Sequence, residues 1–491
     1  MIRPFPNKHI NVLIILFLFT AASFLVFAIS IFDNNPNGLL CGPAFCALLV
    51  LIIPQLKAKN YDLFQPLNFV ILTTLFGVVL RTFYIVFAEN ENTRSFLLLG
   101  KHPMILFNSS ILIVFALLFM IAGYLARVPQ INLSRFAIIR KSEWNSRRFI
   151  FVVVILILIS VSTIILYIQK LGLLNILSDK LSIKRSLIVQ GARYEYAALG
   201  YYLWGASLIS YVFYLLLALL AYSGRKLFSP IGILVLLVGA LAAIFPVITS
   251  SRGEVLFHFV YAALIWHYLR GSISIRKLIP IITLTIGIFV LLAALRAVGQ
   301  GGKYTVLRDY LQIEKIIEVT VGNRNWLGVA KTAHILDAVP EKLDYQYGKT
   351  LLTWIVAPMP RTLWKEKPII RAGPILGRQI FMRKVDRTGV PPGYIGELYW
   401  NFGIIAIPLG MFLLGYWLKF LYFNFVKIIT NNKNALLIYV FLMVPFSLNL
   451  LGGDLTGVII KVVTSLLTLI VLLKFISFDG SSPNTGGNHH I

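Results

Sequence analysis

The sequence predicts an all-α polytopic membrane protein with one large loop. Hydrophobic residues make up 58% of the chain and charged residues 13%, and the mean hydropathy is +0.82, values far from those of soluble globular domains. The apolar residues fall into about twelve runs of about 20 residues each, the length at which a helix crosses a bilayer core. A long interruption, from 297 to 397, is rich in charged, aromatic and turn-forming residues. Soluble folds are therefore excluded.

The apolar runs set the domain organisation. Their approximate limits are 10–32, 38–55, 65–88, 105–127, 149–169, 197–222, 229–248, 253–270, 277–296, 398–425, 434–452 and 455–478. We interpret 1–296 as about nine spans, 297–397 as a large loop, 398–478 as about three further spans and 479–491 as a disordered polar tail. The first run is too long for the apolar core of a signal peptide, so we interpret it as the first span.

Charge predicts the orientation of the spans. The chain carries 45 Lys and Arg against 19 Asp and Glu, a formal charge of +26. Alternate short connections are basic, among them those with Lys57, Arg140 and Arg225, whereas connections between them hold acidic residues such as Asp33 and Asp454. Since Lys and Arg in short loops stay on the cytoplasmic side, we expect both termini in the cytoplasm and the 297–397 loop outside.

The cysteines give little information about the function of the chain. The two cysteines, Cys41 and Cys46, lie in one apolar run at a spacing that points them apart on a helix. This spacing disfavours a disulfide and a metal site.

The 297–397 loop is predicted to cover the bilayer surface as a stiff lid. The stretches 326–339, which ends before Pro340, and 350–357 are apolar enough to form helices at the interface. Prolines such as Pro358 and Pro391 impose extended turns on the remainder. We therefore expect any chemistry of this chain to take place under this loop.

Basic residues also occur in or at the ends of apolar runs. Arg81, Arg252, Arg296 and Lys461 all map to the half of the bilayer nearest the loop. Buried charge is costly in a membrane, so such residues indicate a functional site, here one that holds an anion. The alternative for Arg252 and Arg296 is that their long side chains only reach the lipid headgroups.

Candidate proton acceptors are fewer. Glu397 lies one helical turn before Asn401, at the outer entry of a span, and His334 lies one turn after Lys331 in the loop. A general base needs a polar, partly desolvated position near the attacking group, which Glu397 or His334 could occupy. For each, the alternative is a structural hydrogen bond.

Several site classes have no sequence signal. There is no glycine-rich nucleotide loop, no Asp-x-Asp pair and no cluster of His, Cys and carboxylates at ligand spacing. We therefore expect no metal, no cofactor and no nucleic acid. A donor substrate that carries its own phosphate leaving group, stabilised by arginine, fits the residues that are present.

Three motifs resemble a known family. They are Ser-Arg-Gly-Glu at 251–254, Pro-Arg-Thr-Leu-Trp-Lys-Glu-Lys-Pro at 360–368 and Pro-Pro-Gly-Tyr-Ile-Gly-Glu-Leu-Tyr-Trp-Asn-Phe-Gly at 391–403. Together they resemble the oligosaccharide repeat-unit polymerases of bacterial surface polysaccharides, the O-antigen polymerases of the Wzy type. The resemblance covers mainly 250–415.

The resemblance implies a metal-independent glycosyltransferase of the GT-C type in the inner (cytoplasmic) membrane, with its large loop in the periplasm. Such an enzyme transfers a growing glycan from undecaprenyl pyrophosphate onto a second lipid-linked repeat unit. The implied partners are the undecaprenyl-pyrophosphate-linked oligosaccharide, membrane lipids and a separate co-polymerase that regulates chain length.

Residue roles follow as hypotheses under that resemblance. Glu397 would act as the base, with His334 as the second candidate. Substrate contacts are expected from Arg81, Arg252, Arg296, Arg361, Arg371, Tyr399 and Asn401. The aromatic residues expected to stack on sugar rings are Trp364, Tyr394, Tyr399 and Trp400.

Two other functions remain open at this point. An O-antigen ligase would use a similar outer loop to move a finished chain onto its final acceptor. A flippase or other transporter would also have about twelve spans, although transporters are usually built from related halves with short loops.

Overall fold

The computed structural model describes residues 9–33, 38–57, 62–87, 103–140, 143–171, 197–248, 252–299, 306–322, 328–359, 363–367, 371–380 and 390–478. Helix makes up 81% of the residues that the structure describes. This confirms the predicted all-α polytopic membrane class. The predicted tail, 479–491, lies outside the described residues.

The part of the chain before the large loop is a succession of helices. They are α1 (His9–Phe32), α2 (Cys41–Lys57), α3 (Pro66–Thr74), α4 (Arg81–Phe87), α5 (Pro103–Leu125), α6 (Ala137–Arg140), α7 (Ser146–Leu171), α8 (Ala197–Ser223), α9 (Pro230–Ile248), α10 (Arg252–Leu269) and α11 (Ile275–Gly299). A π-helical turn, Leu75–Leu80, joins α3 to α4.

The loop and the part after it continue in helices. They are α12 (Val306–Asp309), α13 (Ile313–Thr320), α14 (Gly328–Ala338), α15 (Lys349–Leu352), α16 (Ala372–Gln379), α17 (Gly393–Phe402), α18 (Ala406–Phe425), α19 (Lys433–Leu448) and α20 (Leu455–Ile476). Two-residue strands, β1 (Glu143–Trp144) and β2 (Ser477–Phe478), pair antiparallel.

Among the described residues, eight helical segments are long and apolar enough to cross a membrane. They are Leu13–Phe32, Gly38–Leu56, Pro66–Phe87, Met104–Leu125, Ser146–Gln169, Tyr201–Ser223, Gly393–Phe425 and Leu455–Ile476. Each coincides with a predicted span. Helices α9, α10, α11 and α19 occupy the other predicted spans, and α9 and α19 contain the shorter apolar segments Pro230–Pro246 and Lys433–Leu448.

The predicted span at 398–425 is broken near its start. Helix α17 ends at Phe402, a 3₁₀ turn covers Gly403–Ile405, and α18 follows. Gly403 has φ of 68°, a backbone conformation that glycine adopts without steric cost. As a result, the first half of this segment packs with the loop while the second half continues as a span.

Two large apolar clusters hold the bundle together. One joins α7, α8, α9 and α10 to α19, with residues such as Leu264 and Tyr439 fully buried. The other joins α2, α3 and α5 to α18 and also contains Val329 of α14 and Ile395 of α17. Helices of the loop region therefore belong to the core of the bundle.

Helix α14 corrects one expectation about the loop. The predicted helix at 326–339 is present over Gly328–Ala338 and ends just before Pro340, but most of its residues are buried inside the protein rather than exposed to lipid. Its residues from Gly328 to Ile335 are all buried, and Ser109 of α5 donates a 2.7 Å hydrogen bond to the carbonyl of Val329. The apolar face that suggested an interfacial helix packs against other helices.

Helices α5 and α18 touch backbone to backbone. A Cβ at Gly415 would overlap the carbonyl oxygen of Met120, and a Cβ at Gly123 would overlap that of Phe412. Such reciprocal glycine contacts bring membrane helices close enough for extensive van der Waals packing. This contact fixes α18, and through it the broken segment that begins at α17.

Gly415→Ala is expected to destabilise the protein by about 1–3 kcal/mol, because the added methyl group forces two tightly packed helices apart. The melting temperature of the purified protein in detergent measures this. Gly287→Ala is the matched control, since a Cβ at Gly287 meets nothing within 4 Å. Equal melting temperatures for the two variants would show that the α5–α18 contact is not tight.

Candidate functional site

Helices α14 and α17 both begin against the turn that connects α19 to α20. A Cβ at Gly328, the first residue of α14, would lie 3.2 Å from the side chain of Leu451. Gly393, the first residue of α17, has φ of 75° and donates a 2.8 Å hydrogen bond to the carbonyl of Gly453. The two helix starts therefore converge on one short segment, residues 450–454.

Each of these helices carries a buried ionisable residue about one turn after its starting glycine. Lys331 follows Gly328 in α14, and Glu397 follows Gly393 in α17. Both side chains interact electrostatically with Asp454, at the end of the 450–454 segment. The two helices thus bring one basic and one acidic side chain to a common carboxylate.

Direct packing keeps α14 and α17 in this arrangement. A Cβ at Gly396 would lie 2.6 Å from Cδ1 of Ile335, so the side chain of Ile335 rests against the α17 backbone. Ile335 is one turn after Lys331 on the same face of α14. Lys331 consequently lies on the face of α14 that is turned toward α17.

Asp454 is the centre of the site. Its side chain is 0% exposed, and its Oδ1 accepts a hydrogen bond from the backbone N–H of Gly457, which caps α20. Its Oδ2 lies 3.4 Å from Nε of Arg371, whose side chain is 39% exposed. A Cβ at Gly457 would lie 2.6 Å from Nη2 of Arg371, so glycine at this position makes room for the guanidinium.

The two carboxylate oxygens of Glu397 differ in their hydrogen bonding. Its Oε2 accepts a 2.6 Å hydrogen bond from the backbone N–H of Leu455, the first residue of α20. Its Oε1 is buried and has no hydrogen bond of good geometry among the described residues, and the Thr350 side chain is close enough to hydrogen-bond to the carboxylate. Glu397 therefore holds an unused acceptor next to the positive end of a helix.

Lys331 supplies an unused donor. The residue is 2% exposed, and its Nζ forms no hydrogen bond within the described part of the chain. Burial lowers the pKa of Lys331 to about 7, against an opposing effect of Asp454. Within the described residues Lys331 and Asp454 do not form a direct ion pair, so Asp454 offsets the effect of burial only in part.

We refer to Lys331, Arg371, Glu397 and Asp454 as the quartet. It contains two basic and two acidic side chains, three of them almost fully buried. It combines a group able to accept a proton, a buried amine and an arginine that balances charge. Such a set can bind a polar ligand and remove a proton from it.

The structure brings together two of the predicted site residues, Glu397 and Arg371. His334 is buried on α14, one turn after Lys331. Arg81 is 1% exposed, follows the π-helical turn that joins α3 to α4, and places its guanidinium 5.2 Å from the ring centre of Tyr84. These positions agree with a polar site among helices, while the predicted roles stay predictions.

Three predicted arginines are not described at the side-chain level. Arg361 lies outside the described residues. Arg252 begins α10 and Arg296 lies near the end of α11, and only their backbones are described.

Asn401, which is predicted to bind substrate, makes hydrogen bonds within the protein. Its Nδ2 donates 2.7 Å hydrogen bonds to Oγ1 of Thr350 and to the carbonyl of Glu397. Its Oδ1 accepts a 2.9 Å hydrogen bond from the N–H of Gly348. The amide of this buried residue thus holds the start of α15 against α17.

The predicted sugar-stacking residues divide into two groups. Trp400 is 0% exposed and Tyr394 is 1% exposed, so the structure contradicts a stacking role for these two rings. Tyr399 is half-buried beside the same small cluster as Trp400, and Trp364 is 37% exposed. These last two remain available to a ligand.

Sequence reasoning did not select Asp454 or Lys331 as site residues. Asp454 was noted only as an acidic loop residue and Lys331 only as a neighbour of His334. The feature of the sequence that could have identified them is a single charged residue beside an otherwise apolar run. The same feature identified Arg81. Their convergence depends on the fold of the loop into the bundle, which the sequence pattern did not indicate.

Lys461, the remaining predicted cation, faces another set of residues. Its Nζ lies 3.8 Å from the ring centre of Phe257 in α10. Nearby, Nδ1 of His258 lies 2.6 Å from the backbone carbonyl of Glu254, and Nε2 lies 2.8 Å from Oγ of Ser210. A carbonyl only accepts, so the Nδ1 atom carries a proton and the Ser210 hydroxyl donates to neutral Nε2.

The chain matches no known protein family, no curated protein and no solved structure. The site is therefore interpreted from its own residues.

Proposed function

We propose that this protein is a membrane glycosyltransferase that polymerises undecaprenyl-pyrophosphate-linked oligosaccharide repeat units into a surface polysaccharide such as O-antigen. Its proposed location is the inner membrane, with both termini in the cytoplasm, the large loop in the periplasm and the GT-C architecture that the resemblance implies. The proposed partners are the lipid-linked oligosaccharide, membrane lipids and a chain-length-regulating co-polymerase.

The observation that carries the proposal is the open carboxylate oxygen of Glu397. It lies in a buried polar site where the loop region meets the helix bundle, and its other oxygen is fixed by the N–H of Leu455. A glycosyl transfer at the membrane surface needs such a base, held in place and shielded from bulk water. The motif that contains Glu397 is also the longest of those that resemble the polymerases.

The proposed reaction is a displacement at the anomeric carbon of the donor glycan. A hydroxyl oxygen of the acceptor repeat unit forms a bond to that carbon, while the bond from the carbon to the pyrophosphate oxygen breaks. The electron pair leaves with undecaprenyl pyrophosphate, and the hydroxyl proton passes to Glu397. No oxidant, reductant or further reactant is required.

Arginines are proposed to stabilise the departing pyrophosphate. Arg252 and Arg361 are the main candidates, with Arg81 and Arg296 in support, and Arg371 contributes less because Asp454 already balances its charge. Each charged hydrogen bond that strengthens on the leaving group contributes about 1.5–3 kcal/mol. A few such bonds lower the barrier enough for several powers of ten in rate.

Deletion of the gene is expected to leave cells with single repeat units on their surface, and the wild-type gene should restore long chains. Gel electrophoresis of the surface polysaccharide, with staining for sugars, measures chain length. Arg361→Ala at normal protein level should behave like the deletion, because a principal contact to the leaving group is lost.

Other outcomes would replace the proposal. Undecaprenyl-linked polymer that accumulates after deletion indicates a ligase, since the chain is then made but not transferred. Purified protein incubated with lipid-linked repeat units should produce a ladder of longer products, whereas uptake into vesicles without new linkages indicates a transporter. Long surface chains in the deletion strain contradict a polymerase.

A further inference from the structure

The quartet contains an unused donor and an unused acceptor. Nζ of Lys331 and Oε1 of Glu397 are both buried, and neither makes a hydrogen bond of good geometry in the described part of the chain. The Thr350 side chain is the one hydrogen-bonding side chain beside the Glu397 carboxylate there. Buried polar groups are normally paired, so two open groups in one site indicate a place for a ligand. The reaction proposed above uses Glu397 only, which leaves Lys331 without a role.

The two open groups belong to helices that start at the same segment. Lys331 and Glu397 each lie about one turn, roughly 5.4 Å along the axis, beyond a glycine that packs against the 450–454 segment. The contact between Ile335 and Gly396 keeps the two helices in register. The amine and the carboxylate therefore belong to two adjoining helices, and both interact with Asp454.

The charges of the quartet select the ligand. Asp454 is a fully buried carboxylate that interacts with Lys331, and it would repel a phosphate brought to that amine. A hydroxyl group both accepts and donates hydrogen bonds. Hydroxyls therefore satisfy Lys331 and Glu397 together, whereas phosphate satisfies only Lys331.

We propose that the quartet is the subsite for the acceptor saccharide, in which Lys331 donates to one sugar hydroxyl and Oε1 of Glu397 accepts from the hydroxyl that attacks. Of the arginines assigned to the pyrophosphate, this subsite contains only Arg371, whose charge Asp454 balances. It rests on the proposed function and adds Lys331 as a residue that binds substrate directly.

The charge of Lys331 makes this subsite sensitive to pH. Helix α5 and the Leu75–Leu80 turn, which pack on α14, hold no acidic or basic residue. The charged or titratable neighbours are Glu397 and Tyr394 from α17, Asp454 before α20 and His334 on α14 itself. Since the pKa of Lys331 is lowered to about 7, the ammonium is present below pH 7 and is lost as the pH rises above it.

Equilibrium binding to the full-length protein in nanodiscs tests the proposal. The probes are the phosphate-free repeat-unit oligosaccharide, released from its lipid by mild acid and fluorescently labelled, and inorganic pyrophosphate. For the wild type, the dissociation constant of the oligosaccharide is expected to rise as the pH rises through about 7. The dissociation constant of pyrophosphate is expected not to change with the charge of Lys331.

Lys331→Met is expected to weaken oligosaccharide binding by about tenfold at pH 6 and to remove this pH dependence, because one charged hydrogen bond is lost. Lys331→Arg should bind the oligosaccharide without the rise in dissociation constant near pH 7, since arginine stays charged. Pyrophosphate binding should be unchanged in both variants. Lys342→Met, the same change at an exposed lysine, should behave like the wild type.

Other binding results would contradict either the saccharide subsite or the proposed function. Oligosaccharide binding that is absent in the wild type, or unchanged in Lys331→Met, overturns the subsite. Loss of pyrophosphate binding alone makes Lys331 a phosphate ligand instead. If Lys331→Met binds neither the oligosaccharide nor pyrophosphate, the Lys331→Arg variant is used instead. If oligosaccharide binding by Lys331→Arg depends on pH as in the wild type, the subsite is overturned. If the oligosaccharide binds as expected but the wild type forms no ladder of longer products, the polymerase proposal is wrong and the saccharide subsite stands.

Discussion

Glu397→Gln is expected to lower the rate of chain extension by about 10²–10⁴-fold, the contribution of a general base. The amide oxygen of glutamine can still accept the hydrogen bond from the N–H of Leu455, so the start of α20 keeps its partner. The amide cannot take a proton from the acceptor hydroxyl. The rate is measured from the ladder formed by purified protein and lipid-linked repeat units.

Glu341→Gln serves as the control, because Glu341 is an exposed carboxylate in the same loop region. Its ladder should equal that of the wild type. Wild-type extension by Glu397→Gln at equal protein level would exclude Glu397 as the base and leave His334 as the candidate. His334 is buried on the neighbouring helix α14.

The membrane class and the positions of the helices followed from the sequence because hydropathy alone specifies them. A run of about 20 apolar residues has no stable alternative to a spanning helix. The break at Gly403 was not predicted, because residues 402–414 form an uninterrupted apolar run across it. It arises from a glycine conformation that is decided by packing with the loop.

The site was predictable only in part, for a related reason. Glu397 stood out as a carboxylate at the entry of an apolar run, and Arg371 was noted as one cation among several. Asp454 and Lys331 join them because α14 packs into the bundle instead of lying at the interface. A pattern of apolar and polar residues along one helix cannot tell a lipid-facing surface from one that faces another helix.

Asp454→Ala is expected to destabilise the protein by about 2–4 kcal/mol, because it removes two interactions at once. The first is the cap on α20, where Oδ1 accepts from the N–H of Gly457. The second is the pairing with Arg371, which lies 3.4 Å away. Denaturant or thermal unfolding of the purified protein measures the loss, with Asp344→Ala as the control at an exposed aspartate.

Two further variants separate the cap from the ion pair. Asp454→Asn keeps a capping oxygen and loses the charge, so it should be less destabilised than Asp454→Ala. Arg371→Ala leaves a fully buried carboxylate without its cation, whereas Asp454→Ala leaves an arginine that is 39% exposed and can be hydrated. The double variant should therefore be more stable than the sum of the single changes predicts, by about 1–3 kcal/mol. Strictly additive losses would mean that the 3.4 Å contact between Arg371 and Asp454 does not stabilise the fold.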